Sequence, residues 1–335
     1  MRCDNRRATT LISLFLIASF VHGSENPVLV YKKKYVMGTV FEIAAYDQSS
    51  EHASNAIEKA FQEIVRLDDL LSNYKPDSAL TNLNRSAHFH AEKVPPDLYR
   101  VIDQAVQFSR LSDGKFDISI APLVNLWKAA LRGEGTPSRA QQEEVRGCVG
   151  YEKIEITPPD QISFRSSCLQ LDLGAIGKGY AADRAAEVLH ALGIRDALIN
   201  AGGSTILAMG SPPHQTAWLV HLRDPSNKID PQVMLKDESV STSEQTAPSL
   251  LGNDSPGHII DPDTGMPLKT VFAVSAASKT ATVSDALSTT LLLLGPTKGT
   301  ALIKNTAGIS AIWISQDAQV ETATGGPQIR FGKGL

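Results

Sequence analysis

The sequence predicts an α+β fold of mixed sheets with packed helices, and three observations carry that expectation. Two long stretches, residues 52–71 and 283–294, repeat apolar residues at helical spacing. After Gly150 the chain turns to short β-prone runs separated by turn residues, such as YEKIEI and ISFRSS around TPPD. These runs are grouped and do not alternate strictly with helices, which sets the pattern apart from a parallel βαβ sheet.

The elements follow in order. Residues 1–23 read as a secretory signal: Arg2, Arg6 and Arg7 precede the apolar run LISLFLIASFV, and Val21 and Gly23 place cleavage before Ser24. The run falls short of the about 20 residues that a membrane span needs. No cysteine stands at the cleavage point to take a lipid. The expectation is an exported, periplasmic protein with one domain over residues 24–335. Cleavage would remove three of the 32 basic and one of the 36 acidic residues, leaving 29 against 35 and a net charge of −6. With no basic stripe, nucleic acid is not an expected partner. Cys148 and Cys168 survive processing; a disulfide and two buried thiols both fit the sequence.

YVMGTVFEIAAY, residues 35–46, alternates and reads as the first strand. Residues 52–71 read as a helix with Ala56, Ala60, Ile64, Leu67 and Leu71 on one face. LSNYKPDSAL ends it in a turn, and Pro95, Pro96 and Asp97 open a second helix to about Leu111. DGKFDISIAPLVNLWKAA reads as turn, short strand and helix. RGEGTPS reads as an exposed excursion, with Ser138 capping the helix that follows. YEKIEI, ISFRSS and CLQLDL read as strands, and Leu171–Gly193 as a strand entering a helix. ALINAGGSTILAMG, WLVHLRDP, VFAVSAAS and ISAIWIS supply further strands, and VSDALSTTLLLLG a helix.

Three stretches could carry chemistry. In LDLGAIGKGYAAD, Gly174, Gly177, Lys178 and Gly179 bare the backbone at a helix entrance. That suits a phosphate, or simply a tight turn. Asp285, Ser288 and Thr289 stand at i, i+3 and i+4 on one helix face, as oxygen ligands for a hard cation or as ordinary helix-start residues. His258 precedes the rigid turn IIDPDTGMP, a placement for a held general base or a structural hydrogen bond. The HExxH, CxxC and GxSxG motifs are missing, so zinc peptidases, thioredoxin-like enzymes and α/β-hydrolases lose support.

Taken as an ordered set, YVMGTVFEI, LSNYKPDSAL, DGKFDISIAPLVNLW, LDLGAIGKGYAAD, NAGG, HIIDPDTG and SDALSTTLLLLG resemble the ApbE-type FAD:protein FMN transferases from about Tyr35 to Gly295. The resemblance implies a T-fold-like α+β chain that splits FAD with Mg²⁺ and esterifies FMN onto a threonine of a partner protein. It implies FAD contacts at Met37, Tyr74, Lys115, Phe116, Asp117, Asp172, Lys178 and Ile259. It implies Mg²⁺ ligands at the Ala175 carbonyl, Asp285, Ser288 and Thr289, and His258 as the base. Acceptors implied by the family are exported flavoprotein subunits of membrane redox complexes. The chain departs from the family pattern at Glu244, where many relatives have glycine, and at Ser204, where an acidic residue or amide is common. The rival expectations are an FAD pyrophosphatase, with water as acceptor, and a non-catalytic periplasmic FAD-binding protein.

Overall fold

The computed structural model describes residues 26–131, 135–245, 259–270, 272–327 and 329–331. The signal segment and His258 lie outside the described residues.

An eight-stranded antiparallel sheet forms the frame, in the order β1-β2-β6-β7-β10-β13-β14-β15. Its strands are β1 (Val28–Val36), β2 (Thr39–Asp47), β6 (Asp196–Ala201), β7 (Thr205–Met209), β10 (Glu238–Glu244), β13 (Phe272–Ser278), β14 (Ser310–Ser315) and β15 (Val320–Thr324). The expected single first strand is in fact the hairpin β1–β2. Met37 (φ 52) and Gly38 (φ 71) both take positive φ, which makes a two-residue turn with the twist a hairpin prefers. Alternation continues through that turn, so periodicity alone conceals it.

One face of the sheet packs against helices. α1 (Ser50–Leu71) buries Ala56, Ala60, Ile64, Leu67 and Leu71, and Ser49 caps it. α2 (Ala79–Ser86), which the sequence reading passed over, starts at the Ser78 cap. α3 (Pro96–Leu111) begins at the expected prolines. α6 (Gly177–Ala191) and α1 share one core with Phe41, Ile43, Ile199 and Leu207 of the sheet. α7 (Ala281–Lys304) packs Leu287 and Leu291 on Val274, Ala276 and Trp313. It breaks at Gly295 (φ 70), before Pro296, where the sequence reading ended its helix.

The opposite face is covered only in part. A small sheet of β8 (Trp218–His221), β9 (Pro231–Leu235) and β16 (Ile329–Phe331) buries Trp218, Val220, Val233 and Leu235 on Ala208, Val240 and Ile312. The remaining elements form a subsidiary layer. β3 (Glu92–Lys93), β4 (Ile154–Thr157) and β5 (Gln161–Phe164) make a three-stranded sheet. α4 (Ala121–Leu131) and α5 (Arg139–Arg146) follow α3, and Ser138 caps α5 through a capping box with Gln141. β11 (Ile260–Asp261) and β12 (Met266–Pro267) flank one turn.

The short strands expected in DISI and CLQLDL are absent. These stretches meet at the single parallel bridge Ile120↔Gln170 and at one further bond, from the Asp172 amide to the Ile118 carbonyl at 2.7 Å. Each is too short to build a ladder once Asp117 and Asp172 turn the backbone with their own side chains. Cys148 and Cys168 are joined, with sulfurs 2.07 Å apart.

Candidate active site

A cavity of about 640 Å³ opens where the first turn of α6, one face of α7 and the ends of β6, β7 and β10 converge. That volume lies within the range of cofactor pockets. Sequence dictates the convergence at one residue above all. A Cβ on Gly179 would lie 2.2 Å from the Ala281 carbonyl oxygen, so glycine lets α6 and α7 touch backbone to backbone. The glycine expected to admit a ligand serves helix packing first.

The contact brings the Asp285 carboxylate across to α6, where it accepts the Gly179 amide at 2.8 Å. Its other oxygen accepts Thr205 Oγ1 at 3.1 Å. Asp285 is buried, yet it does not cap its own helix. Thr280 accepts the Val283 amide, and Asp183 takes the Ala281 and Thr282 amides. Burial pushes the Asp183 carboxyl up, against those bonds. Thr289 lines the cavity and sits 3.1 Å from Ser243 Oγ. Ser288 is buried behind it, donating to the Asp285 carbonyl and 2.8 Å from Ser243 Oγ. Ala175 lines the same cavity.

The FAD residues implied by resemblance gather around the same space. Asp172 accepts the Gly174 amide at 2.7 Å, and Lys178 Nζ reaches the Gly174 carbonyl at 3.2 Å. Both line the cavity. Phe116 is buried against Phe108, edge to face. Asp117 accepts from Ser119 and from the Tyr151 amide, and burial pushes its carboxyl up despite those bonds. Lys115 lies 2.8 Å from both Asp261 and Asp263. Burial favours its neutral amine, but the two carboxylates outweigh burial and raise its pKa. Lys115 thus anchors the β11–β12 turn across the cavity, and Trp127 Nε1 donates to Gly265 of the same turn. Ile259 lines the cavity, and its amide donates to Gln245 Oε1 at 3.2 Å. Tyr74 is 81 % exposed at the rim, with Lys128 Nζ 4.9 Å from its ring centre. Met37 is set back from the lining, under α6, where a Cβ on Gly177 would lie 3.8 Å from its Cε.

Sequence reasoning missed Thr205, Ser243 and Arg223. Arg223 pairs with Glu244, and both side chains line the cavity. Glu244 was marked only as a departure. For Thr205 and Ser243 no local signal exists, because their role arises where the sheet meets α7.

Among the described residues no three His, Cys, Asp or Glu side chains cluster as metal ligands. Of the carboxylates lining the cavity, Asp117 and Asp172 turn their own loops and Glu244 pairs with Arg223, which leaves Asp285, with the Ser243 and Thr289 hydroxyls beside it, to meet an ion. Each Asp285 oxygen accepts one protein hydrogen bond, and a carboxylate has about four acceptor sites, so capacity remains. Such a sparse oxygen set suits Mg²⁺, which is usually completed by substrate phosphates and water.

Comparison with known proteins agrees with this architecture. The ApbE family matches residues 37–313. The chain is 29% identical over 327 residues to the FAD:protein FMN transferase of Treponema pallidum (strain Nichols), covering 90% of this chain and 89% of that one. It is 26% identical over 319 residues to the FAD:protein FMN transferase of Escherichia coli (strain K12), covering 92% and 90%. In structure it resembles the apo form of the Pseudomonas stutzeri flavinyl transferase ApbE, with TM-score 0.78, 26% identity and coverage of 93% and 96%.

Proposed function

The chain belongs to the ApbE family, and from that premise we propose that it is an FAD:protein FMN transferase whose acceptor is a threonine hydroxyl and whose metal is Mg²⁺. The observation that carries this reading is the meeting of α6 and α7. It brings Lys178, Ala175, Asp285 and Thr289 into the lining of one cavity.

Lys178 and the first turn of α6 offer positive charge to the diphosphate. The Asp117 and Asp172 side chains hold the loops that wall the flavin end. The Ala175 carbonyl, Asp285 and Thr289 would hold Mg²⁺, with Ser288 and Ser243 fixing Thr289 from behind. When bound, the ion would neutralise charge that develops on diphosphate oxygens. His258, by resemblance, takes the proton of the acceptor hydroxyl. The freed oxygen then bonds to the phosphorus next to riboflavin, the diphosphate P–O bond breaks, and AMP leaves. The acceptor class is an exported flavoprotein subunit of a redox complex. Cleavage before Ser24 would release the enzyme into the same compartment as a single domain. No helix among the described residues is long and apolar enough to cross a membrane.

The test incubates the protein with FAD, Mg²⁺ and such a subunit in unmodified form. The expected result is flavin fluorescence that survives denaturing electrophoresis, with one AMP per modified chain. AMP and free FMN without modified acceptor would make the chain a hydrolase; bound FAD without AMP would make it a carrier. His258→Ala should slow transfer by about 10²–10⁴, the usual worth of a general base, while FAD still binds.

A further inference from the structure

The hairpin β1–β2 carries an uncovered surface that the reaction above does not use. Among the described residues, five of the ten exposed large apolar side chains lie on the hairpin: Leu29, Tyr31, Tyr35 and Val40 on this face, and Val28 on the other at the start of β1. The small sheet of β8, β9 and β16 shields the centre of this face but stops short of β1.

β1 is also the end strand of the eight-stranded sheet. Val36 and Thr39 close a two-residue turn, so Val36, Lys34, Lys32 and Val30 exchange backbone hydrogen bonds with β2. The alternate residues Leu29, Tyr31, Lys33 and Tyr35 direct their N–H and C=O groups outward. Their side chains share the uncovered face, because both properties alternate with period two. Among the described residues no strand pairs with this edge, and its nine residues hold no proline, so it forms a template for one more strand.

The edge is not suited to a second copy of itself. Two β1 strands pairing antiparallel about Lys33 would set Lys33 against Lys33 and Lys32 against Lys34. A segment carrying a carboxylate would meet Lys33 favourably on the exposed face; on the other face Lys34 already pairs with Glu58 and Lys32 bonds the Ser54 carbonyl. The face also leads to the cavity. Tyr35 lies opposite Val40, whose carbonyl accepts the Gly202 amide, and Gly202, Ser204 and Thr242 continue the row into the cavity lining.

We propose that β1 is the docking edge for the acceptor protein: an extended, carboxylate-bearing segment of the acceptor adds as a strand beside Leu29–Tyr35 and delivers its hydroxyl past the hairpin tip into the cavity. This rests on the transferase reading. From the added strand to the β6–β7 turn is about three strand spacings, roughly 14 Å. The modified hydroxyl therefore lies about four to five residues beyond the paired segment.

The test uses the full chain and the unmodified soluble domain of a redox-complex subunit whose mature form carries threonine-linked FMN. Lys33→Glu and the double variant Leu29→Glu/Tyr35→Glu change only exposed side chains, and thermal melts check folding. The expected result is a tenfold or greater rise in KM for the acceptor protein, with FAD affinity and the background release of AMP to water unchanged. A charge-reversed acceptor segment should rescue Lys33→Glu. An acceptor peptide N-methylated at alternate residues should fail with the wild-type enzyme. Equal transfer by wild type and variants overturns the docking edge. Variants that turn a dimer into a monomer with transfer intact also overturn it, assigning the face to a second copy. A wild-type enzyme that makes AMP but never modifies the acceptor would sink the transferase reading instead.

Discussion

Asp285 of α7 and Gly179 of α6 are joined by a 2.8 Å hydrogen bond from amide to carboxylate. The group proposed to hold the metal is thereby fastened to the turn proposed to face the diphosphate, one residue after Lys178.

Replacing Asp285 by Asn tests that joint. Asparagine keeps the shape and can still accept the Gly179 amide through Oδ1, but its Nδ2 donates, so the Thr205 hydroxyl proton loses its acceptor. A buried group left unpaired costs about 1–3 kcal/mol. The melting temperature should fall accordingly, and AMP release should lose its saturating response to Mg²⁺. A variant that melts early with the wild-type Mg²⁺ curve would assign Asp285 to the helix joint alone.

The Arg223–Glu244 pair lines the cavity, with the arginine side chain 69% exposed. So open a pair adds little to stability, but it sets the charge that an incoming diphosphate meets. Arg223→Ala leaves Glu244 uncompensated and should raise the KM for FAD about three- to tenfold, since two unit charges about 4 Å apart in a water-exposed site interact by about 1 kcal/mol. Adding Glu244→Gln should restore much of the loss. Steady-state AMP release for the four proteins measures the coupling; additive effects would mean that the two residues act independently.

The disulfide closes a loop between Cys148 and Cys168 that holds Gly150 and Tyr151, whose amides bond Ser119 and Asp117. A crosslink over such a loop is worth about 3 kcal/mol. Reduction with a phosphine should lower the melting temperature and weaken FAD binding together. Unchanged FAD affinity after complete reduction, verified by thiol counting, would confine the bond to scaffold stability.

Acid should loosen the contact between α1, α3 and α6. There Asp97 meets Arg66 at 2.5 Å, and Arg184 Nε lies 3.8 Å from the same carboxylate. Burial pushes the Asp97 carboxyl up, but bonds from Tyr180 and Arg66 outweigh it, and the net shift is below the ordinary 3.8. The Arg66 guanidinium likewise lowers Glu63. A depressed carboxylate contributes stability that is present above its unfolded pKa and is lost as pH falls through the folded one. Denaturant midpoints should therefore drop from about pH 5 down to below the folded pKa. Asp97→Asn should be less stable at neutral pH and show a shallower slope. An unchanged slope would place the acid response elsewhere.

Much of the helical frame was legible because burial repeats along each helix. Ala56, Ala60 and Ile64 announce α1, and Pro96 marks where α3 starts. The candidate site was legible where chemistry sits in one segment, as with Lys178 beside its glycines. What was not legible depends on surfaces meeting. β10 reads ESVSTSE, and its serines face α7, with Ser239 and Ser241 near Ser284 and Ser243 near Thr289. Nothing in that stretch alone separates such a strand from a polar loop. Thr205 and Arg223 likewise gain their roles from partners 80 and 21 residues away.

The cavity walls come from Tyr74 near one end of the chain and Thr289 near the other. A growing polypeptide has no partner for the Gly179 amide until Asp285 emerges, and no completed oxygen set until Thr289 follows. A dinucleotide site whose walls run from Tyr74 to Leu293 is thereby complete only late in chain emergence.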